Sequence, residues 1–105
     1  MIFGLLRDKE LERFAADLAK QLGERVPLTA LTAERASDPR FKATLVKAFH
    51  HVFLSAQNYC RDRKIGYLKR ARLSKSFQDE LKSLGYPGDF VKEVTLRLAE
   101  QLTQI

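Results

Sequence analysis

The sequence predicts an all-α domain, a small bundle of about four helices with a long central helix, and three observations carry that expectation. Apolar residues recur at steps of three and four in four separate segments, so each segment would present one stripe if helical. Between the segments stand glycine and proline breakers next to helix-capping residue types. No segment alternates apolar and polar side chains with the period of a strand. A chain of 105 residues, 45% of them apolar, is expected to fold as one domain over residues 1–105, with a core sufficient without staples.

The first helix is expected from Asp8, an N-cap residue type, through Leu11, Phe14, Ala15, Leu18, Ala19 and Leu22, with Gly23 at a left-handed C′ position. Residues 24–38 read as a connection holding at most a short helical turn, because Pro27 lacks an amide proton and Leu28 and Leu31 are its main apolar anchors. Ser37-Asp38-Pro39 is the clearest start signal in the chain. Asp38 can accept from the free amides of a first turn, and Pro39 fits the first helical position. The long central helix follows, with Phe41, Leu45, Ala48, Phe49, Val52, Phe53, Ala56, Tyr59 and Cys60 as its core stripe and an end near Ile65-Gly66.

Residues 67–72 are expected to be exposed, as one helical turn or an ordered loop. The third helix is signalled by Leu73, Phe77, Leu81 and Leu84, with Ser74 or Ser76 as cap. Gly85-Tyr86-Pro87-Gly88 breaks the chain into a tight helix-to-helix turn, and Asp89 is placed to cap a last helix. Phe90, Val91, Val94, Leu98 and Leu102 form the stripe of that helix, with Leu96 and Ile105 on its flanks.

Charge is divided unevenly. Residues 1–38 hold six basic and seven acidic side chains, residues 39–75 ten and one, and residues 76–105 three and five. Within the middle region, residues 61–75 carry Arg61, Arg63, Lys64, Lys69, Arg70, Arg72 and Lys75 with Asp62 as the sole acid, a net +6 that equals the charge of the whole chain. A field so localised attracts a polyanion directionally. Phosphate neutralisation by Lys and Arg is the main source of nucleic-acid affinity, and the arginine fork matches paired oxyanions. Tyr67, in the middle of the cluster, can stack on an unpaired base. The bland alternative is a solvated junction whose cations cap the central helix, as Arg61, Arg63 and Lys64 would in its last turn.

Other chemistry finds little footing. His50 and His51 are adjacent, so on a helix they point about 100° apart, and neither has a second ligand three or four residues away. No metal or cofactor is expected. Cys60 falls on the core stripe and reads as a buried thiol, not a nucleophile. The chain has no phosphate-binding glycine loop, nucleophile elbow or zinc-protease helix pattern, so no catalytic residue is assigned and an enzyme is not expected. Two helices about the Gly85 turn have the outline of a helix-turn-helix, but Lys92, Glu93, Arg97 and Glu100 mix signs on the exposed face of the second, which favours a plain αα-hairpin.

A single cysteine excludes an internal disulfide framework and fits a reducing compartment, so the cytoplasm is the expected location. The apolar runs are too short to span a bilayer. The apolar peptide Met1-Ile2-Phe3-Gly4-Leu5-Leu6 is out of phase with the first stripe, and it is expected to fold back over the bundle end in preference to inserting into a membrane surface. The sequence therefore predicts a small basic binding module. Its expected partner is nucleic acid, DNA or RNA, held by Arg61, Arg63, Lys64, Tyr67, Lys69, Arg70, Arg72 and Lys75. Its alternative partner is an acidic protein, and peripheral association with a membrane surface ranks third.

Overall fold

The computed structural model describes residues 9–31 and 38–104. They form four helices, α1 (Lys9–Arg25), α2 (Pro39–Asp62), α3 (Tyr67–Ser83) and α4 (Gly88–Leu102), with a single 3₁₀ turn at Leu28–Ala30. No strand occurs among the described residues. The expected all-α bundle with a long central helix is the observed fold.

Helix α1 packs against α2 and α3, and α4 packs against the same two helices from the other side. The ends show the directions. Glu10 at the start of α1 pairs with Arg63 just past the end of α2, so these two helices run antiparallel. Phe49 meets Phe90 and Gln57 donates to the Gln101 carbonyl, so α2 and α4 run parallel. The core is supplied mainly by Leu11, Leu18 and Leu22 of α1, Leu73, Phe77 and Leu81 of α3, and Val91, Val94, Leu98 and Leu102 of α4.

Helix α2 departs from expectation in which side chains it buries. Ala48, Val52, Ala56 and Cys60 face the core, while Phe41, Leu45, Phe49, Phe53 and Tyr59 are only half-buried along the flanks. Small residues let the neighbouring helices approach closely, which pushes the large rings to the edges of the contact. Phe14 stacks on Tyr59 at 3.8 Å on one flank, and Phe49 and Phe53 lie 5.9 Å apart on the other. Residues 39–47, the first two and a half turns, contain no buried side chain.

The helix ends explain most of the boundary differences. Asp38 caps α2 as expected, its carboxylate accepting from the Arg40 amide at 2.9 Å with Pro39 in the first turn. At the other end the Ile65 amide reaches the Cys60 carbonyl at 2.8 Å and the Lys64 amide reaches that of Arg61 at 3.3 Å. This is a Schellman motif, with Lys64 left-handed at φ 54° in the place usually held by glycine. The helix thus stops at Asp62, before the glycine that was expected to end it.

Helix α3 repeats the device. Tyr86 and Gly85 amides bond to the Leu81 and Lys82 carbonyls, and Gly85 takes φ 92°, the left-handed C′ conformation read from the sequence. Gly23, by contrast, lies inside α1, which continues to Arg25; a Cβ there would come within 3.4 Å of the Tyr86 hydroxyl. That hydroxyl donates to the Val26 carbonyl at 2.6 Å and ties the end of α1 to the α3–α4 turn. Asp89 makes no capping bond, and α4 starts from Pro87. Leu84 and Leu96 are exposed, outside the core expected of them. The expected Asp8 cap, the peptide before it, Ser37 and Ile105 lie outside the described residues.

Candidate nucleic-acid interface

The corner between α2 and α3 is built by the Schellman turn at Lys64. Ile65 tucks under it, only 9% exposed, and Gly66 is extended, which turns the chain directly into the first turn of α3. Residues 67–72 are therefore the start of a helix, six residues earlier than Leu73. Neither Ser74 nor Ser76 caps it; Ser74 is buried within the helix, its hydroxyl donating to the Arg70 carbonyl at 3.3 Å. Stripe periodicity missed this turn because its outward side chains are apolar as well as basic.

Tyr67 and Leu68, in that first turn, are 77% and 82% exposed. They share one shallow depression with Arg63, Lys64 and Lys69, and no acidic residue lines it. Gly66 offers no side chain to the first-turn amides of α3, so the partial positive charge of the helix start faces the same depression. Arg61 and Arg72 are exposed, Arg61 reaching the Asn58 side chain at 3.5 Å and Arg72 forming no ion pair among the described residues. Lys75 pairs with Asp79 at 2.9 Å, an exposed contact worth about 0.3–0.5 kcal/mol that a competing anion can displace.

Two members of the cluster are engaged elsewhere. Arg63 pairs with Glu10 and its guanidinium sits 5.1 Å from the Tyr59 ring centroid, joining α2 to α1. Arg70 was expected to be exposed with the rest of residues 67–72. Instead it lies on the inward side of α3, half-buried, its Nε donating to the Ile65 carbonyl at 2.9 Å and a terminal nitrogen to the Leu102 carbonyl at 3.0 Å. The Leu102 carbonyl is at the C-terminal end of α4 and lacks an intrahelical donor, the Ile65 carbonyl lies in the turn between α2 and α3, and a guanidinium fork can serve two at once. Lys69 is half-buried and also has interactions of its own.

Two residues of this surface were not assigned to the site: Leu68, exposed as expected of residues 67–72, and Lys82, which lies beyond the 61–75 cluster and is exposed on α3. Once α3 is known to start at Tyr67, spacing of seven puts Leu68, Lys75 and Lys82 in one row on its outer face.

Cys60 is fully buried, and burial raises its thiol pKa above the ordinary value while the Arg70 charge opposes the shift. Such a thiol is protonated at neutral pH, a poor nucleophile. His50 and His51 are both exposed. Among the described residues no group of three or more His, Cys, Asp or Glu side chains could hold a metal ion, and no helix is long and apolar enough to cross a membrane. No protein-family model, curated protein or solved structure matches this chain.

Proposed function

We propose that the protein is a non-catalytic binding module that holds single-stranded nucleic acid at the α2–α3 corner. The observation that carries this reading is the exposure of Tyr67 in a depression with cationic side chains and no acid. An aromatic ring so exposed has a face free to stack on a base, while Arg61, Lys64, Arg72 and Lys75 would neutralise phosphates along the strand. Lys69 and Lys82 extend the same surface. Arg63 and Arg70 would shape the corner and contact the strand little, since their guanidinium groups are engaged within the bundle. A cytoplasmic setting belongs to the same proposal.

The test uses fluorescence anisotropy with a labelled oligothymidine and a matched duplex at low salt. Tyr67→Ala should weaken the single strand about tenfold and leave the duplex nearly unchanged, because stacking on an open base contributes about 1–3 kcal/mol. Lys64→Glu with Arg72→Glu should weaken both. Absence of salt-sensitive binding in the wild type would end this reading. A second reading, an acidic protein partner, draws support from Leu68, whose 82% exposure adds an aliphatic contact that a nucleic acid does not need.

A further inference from the structure

The start of α1 shares the α2–α3 corner. Glu10, in the first turn of α1, pairs with Arg63, one of the residues lining the depression beside Tyr67 and Leu68. At the far end the Tyr86 hydroxyl, just past α3, donates to the Val26 carbonyl, just past α1, at 2.6 Å. Both helices have 17 residues and pack against each other, so they run parallel and begin at the same end of the bundle, with Lys9 and Tyr67 as their first residues. Packed helix axes lie about 8–10 Å apart. The depression is therefore about one helix diameter from the point where residues 1–8 join α1.

That segment lies outside the described residues, and its sequence is Met1-Ile2-Phe3-Gly4-Leu5-Leu6, all apolar, followed by Arg7 and Asp8. Tyr67 at 77% and Leu68 at 82% are the most exposed large apolar side chains among the described residues, and they are neighbours in one helical turn. We infer that residues 1–6 dock on Tyr67 and Leu68, so that any other occupant of the corner has to displace them. The length is sufficient, since six residues span up to about 20 Å when extended. The tether is also sufficient. A segment joined to the bundle two residues away meets this surface at an effective concentration on the order of millimolar, so an apolar contact too weak to hold a separate chain can hold this one. An apolar occupant accounts for Leu68, which has neither a charge for phosphate nor a ring for a base. Docking stands whether or not the corner binds nucleic acid, whereas competition with a strand rests on that proposed function.

The chain has no tryptophan, so Tyr67→Trp places a single fluorescent reporter in the corner. Removal of residues 2–6 should at least double its quenching constant with acrylamide and move its emission to longer wavelength. Leu84→Trp, exposed at the opposite end of α3, is the control and should not respond. Ile2, Phe3, Leu5 and Leu6 changed together to serine in the full chain should act as the removal does. Equal quenching of Tyr67→Trp with and without residues 2–6 overturns the inference, and so does an equal change at Leu84→Trp, which would report loosening of the whole bundle. Protection that disappears on dilution together with a dimer in sedimentation assigns the cover to a second copy, and protection seen only with anionic vesicles assigns it to lipid; either result overturns the inference. Competition is read with the native Tyr67. Apparent affinity falls with the fraction of competent molecules, so a segment docked about two-thirds of the time weakens oligothymidine binding about threefold, and removal of residues 2–6 should restore it. Unchanged affinity in a protein that binds the strand overturns the competition, while absence of any strand binding defeats the nucleic-acid reading and leaves the fluorescence to decide the docking.

Discussion

Replacing Arg70 by methionine tests the claim that a member of the basic cluster is a structural clamp. Methionine keeps the apolar stem and removes the bonds to the Ile65 and Leu102 carbonyls, at 2.9 Å and 3.0 Å. Each is a charge-assisted bond to a backbone carbonyl, and such bonds contribute about 1.5–3 kcal/mol. The guanidinium is only half-buried, so water can replace part of what is lost, and the expected cost is about 2–4 kcal/mol. Urea unfolding followed by circular dichroism measures it, with Arg72→Met as the exposed control at no more than about 0.5 kcal/mol. The slope of the transition should be unchanged and the midpoint lower. Equal midpoints for the two variants would refute the clamp and return Arg70 to the surface cluster.

Lys64→Gly should stabilise the protein by about 1 kcal/mol, because a side chain is held at a positive φ there, and Gly85→Val should cost about 1–3 kcal/mol for the converse reason; both are read from urea midpoints. Phe77→Ala should cost roughly 3–5 kcal/mol from a fully buried site, and Phe53→Ala roughly half as much from a half-buried one, so equal losses in calorimetry would contradict the burial pattern of α2. Burial raises the Cys60 thiol above its ordinary 9.0 and the Tyr86 hydroxyl above 10.0. A group whose pKa is higher in the folded state stabilises fully below its unfolded value and ceases to do so as pH rises through the folded value. Stability should therefore fall at alkaline pH, with Cys60→Ala removing the earlier part of the decline; midpoints that stay level from pH 8 to pH 11 would rule this out.

Most of the architecture was legible because it rests on local signals. Apolar periodicity located all four helices, Asp38-Pro39 marked the start of α2, and Gly85 marked the left-handed end of α3. The failures have tertiary causes. Lys64 takes a conformation that sequence rules reserve for glycine, because burial of Ile65 fixes the turn, and this moved the end of α2 and the start of α3. Phe49 and Phe53 share periodicity with Ala48 and Val52, and only packing decides which of them faces inward. The cluster at residues 61–75 was visible as composition. Its division into clamp, ion pair and exposed cations was not, since the partners Glu10 and Leu102 are distant in sequence.

The central claim is that exposed cations at the α2–α3 corner hold nucleic-acid phosphates, and the salt dependence of single-strand binding tests it most directly. Four contacts, by Arg61, Lys64, Arg72 and Lys75, correspond to a slope of about −3 in log affinity against log salt, at roughly −0.7 per contact. The Lys64→Glu and Arg72→Glu double variant should lose at least about 1.4 units of that slope and remain folded. A wild-type slope near zero, or a steep slope unchanged by the double variant, would contradict the account.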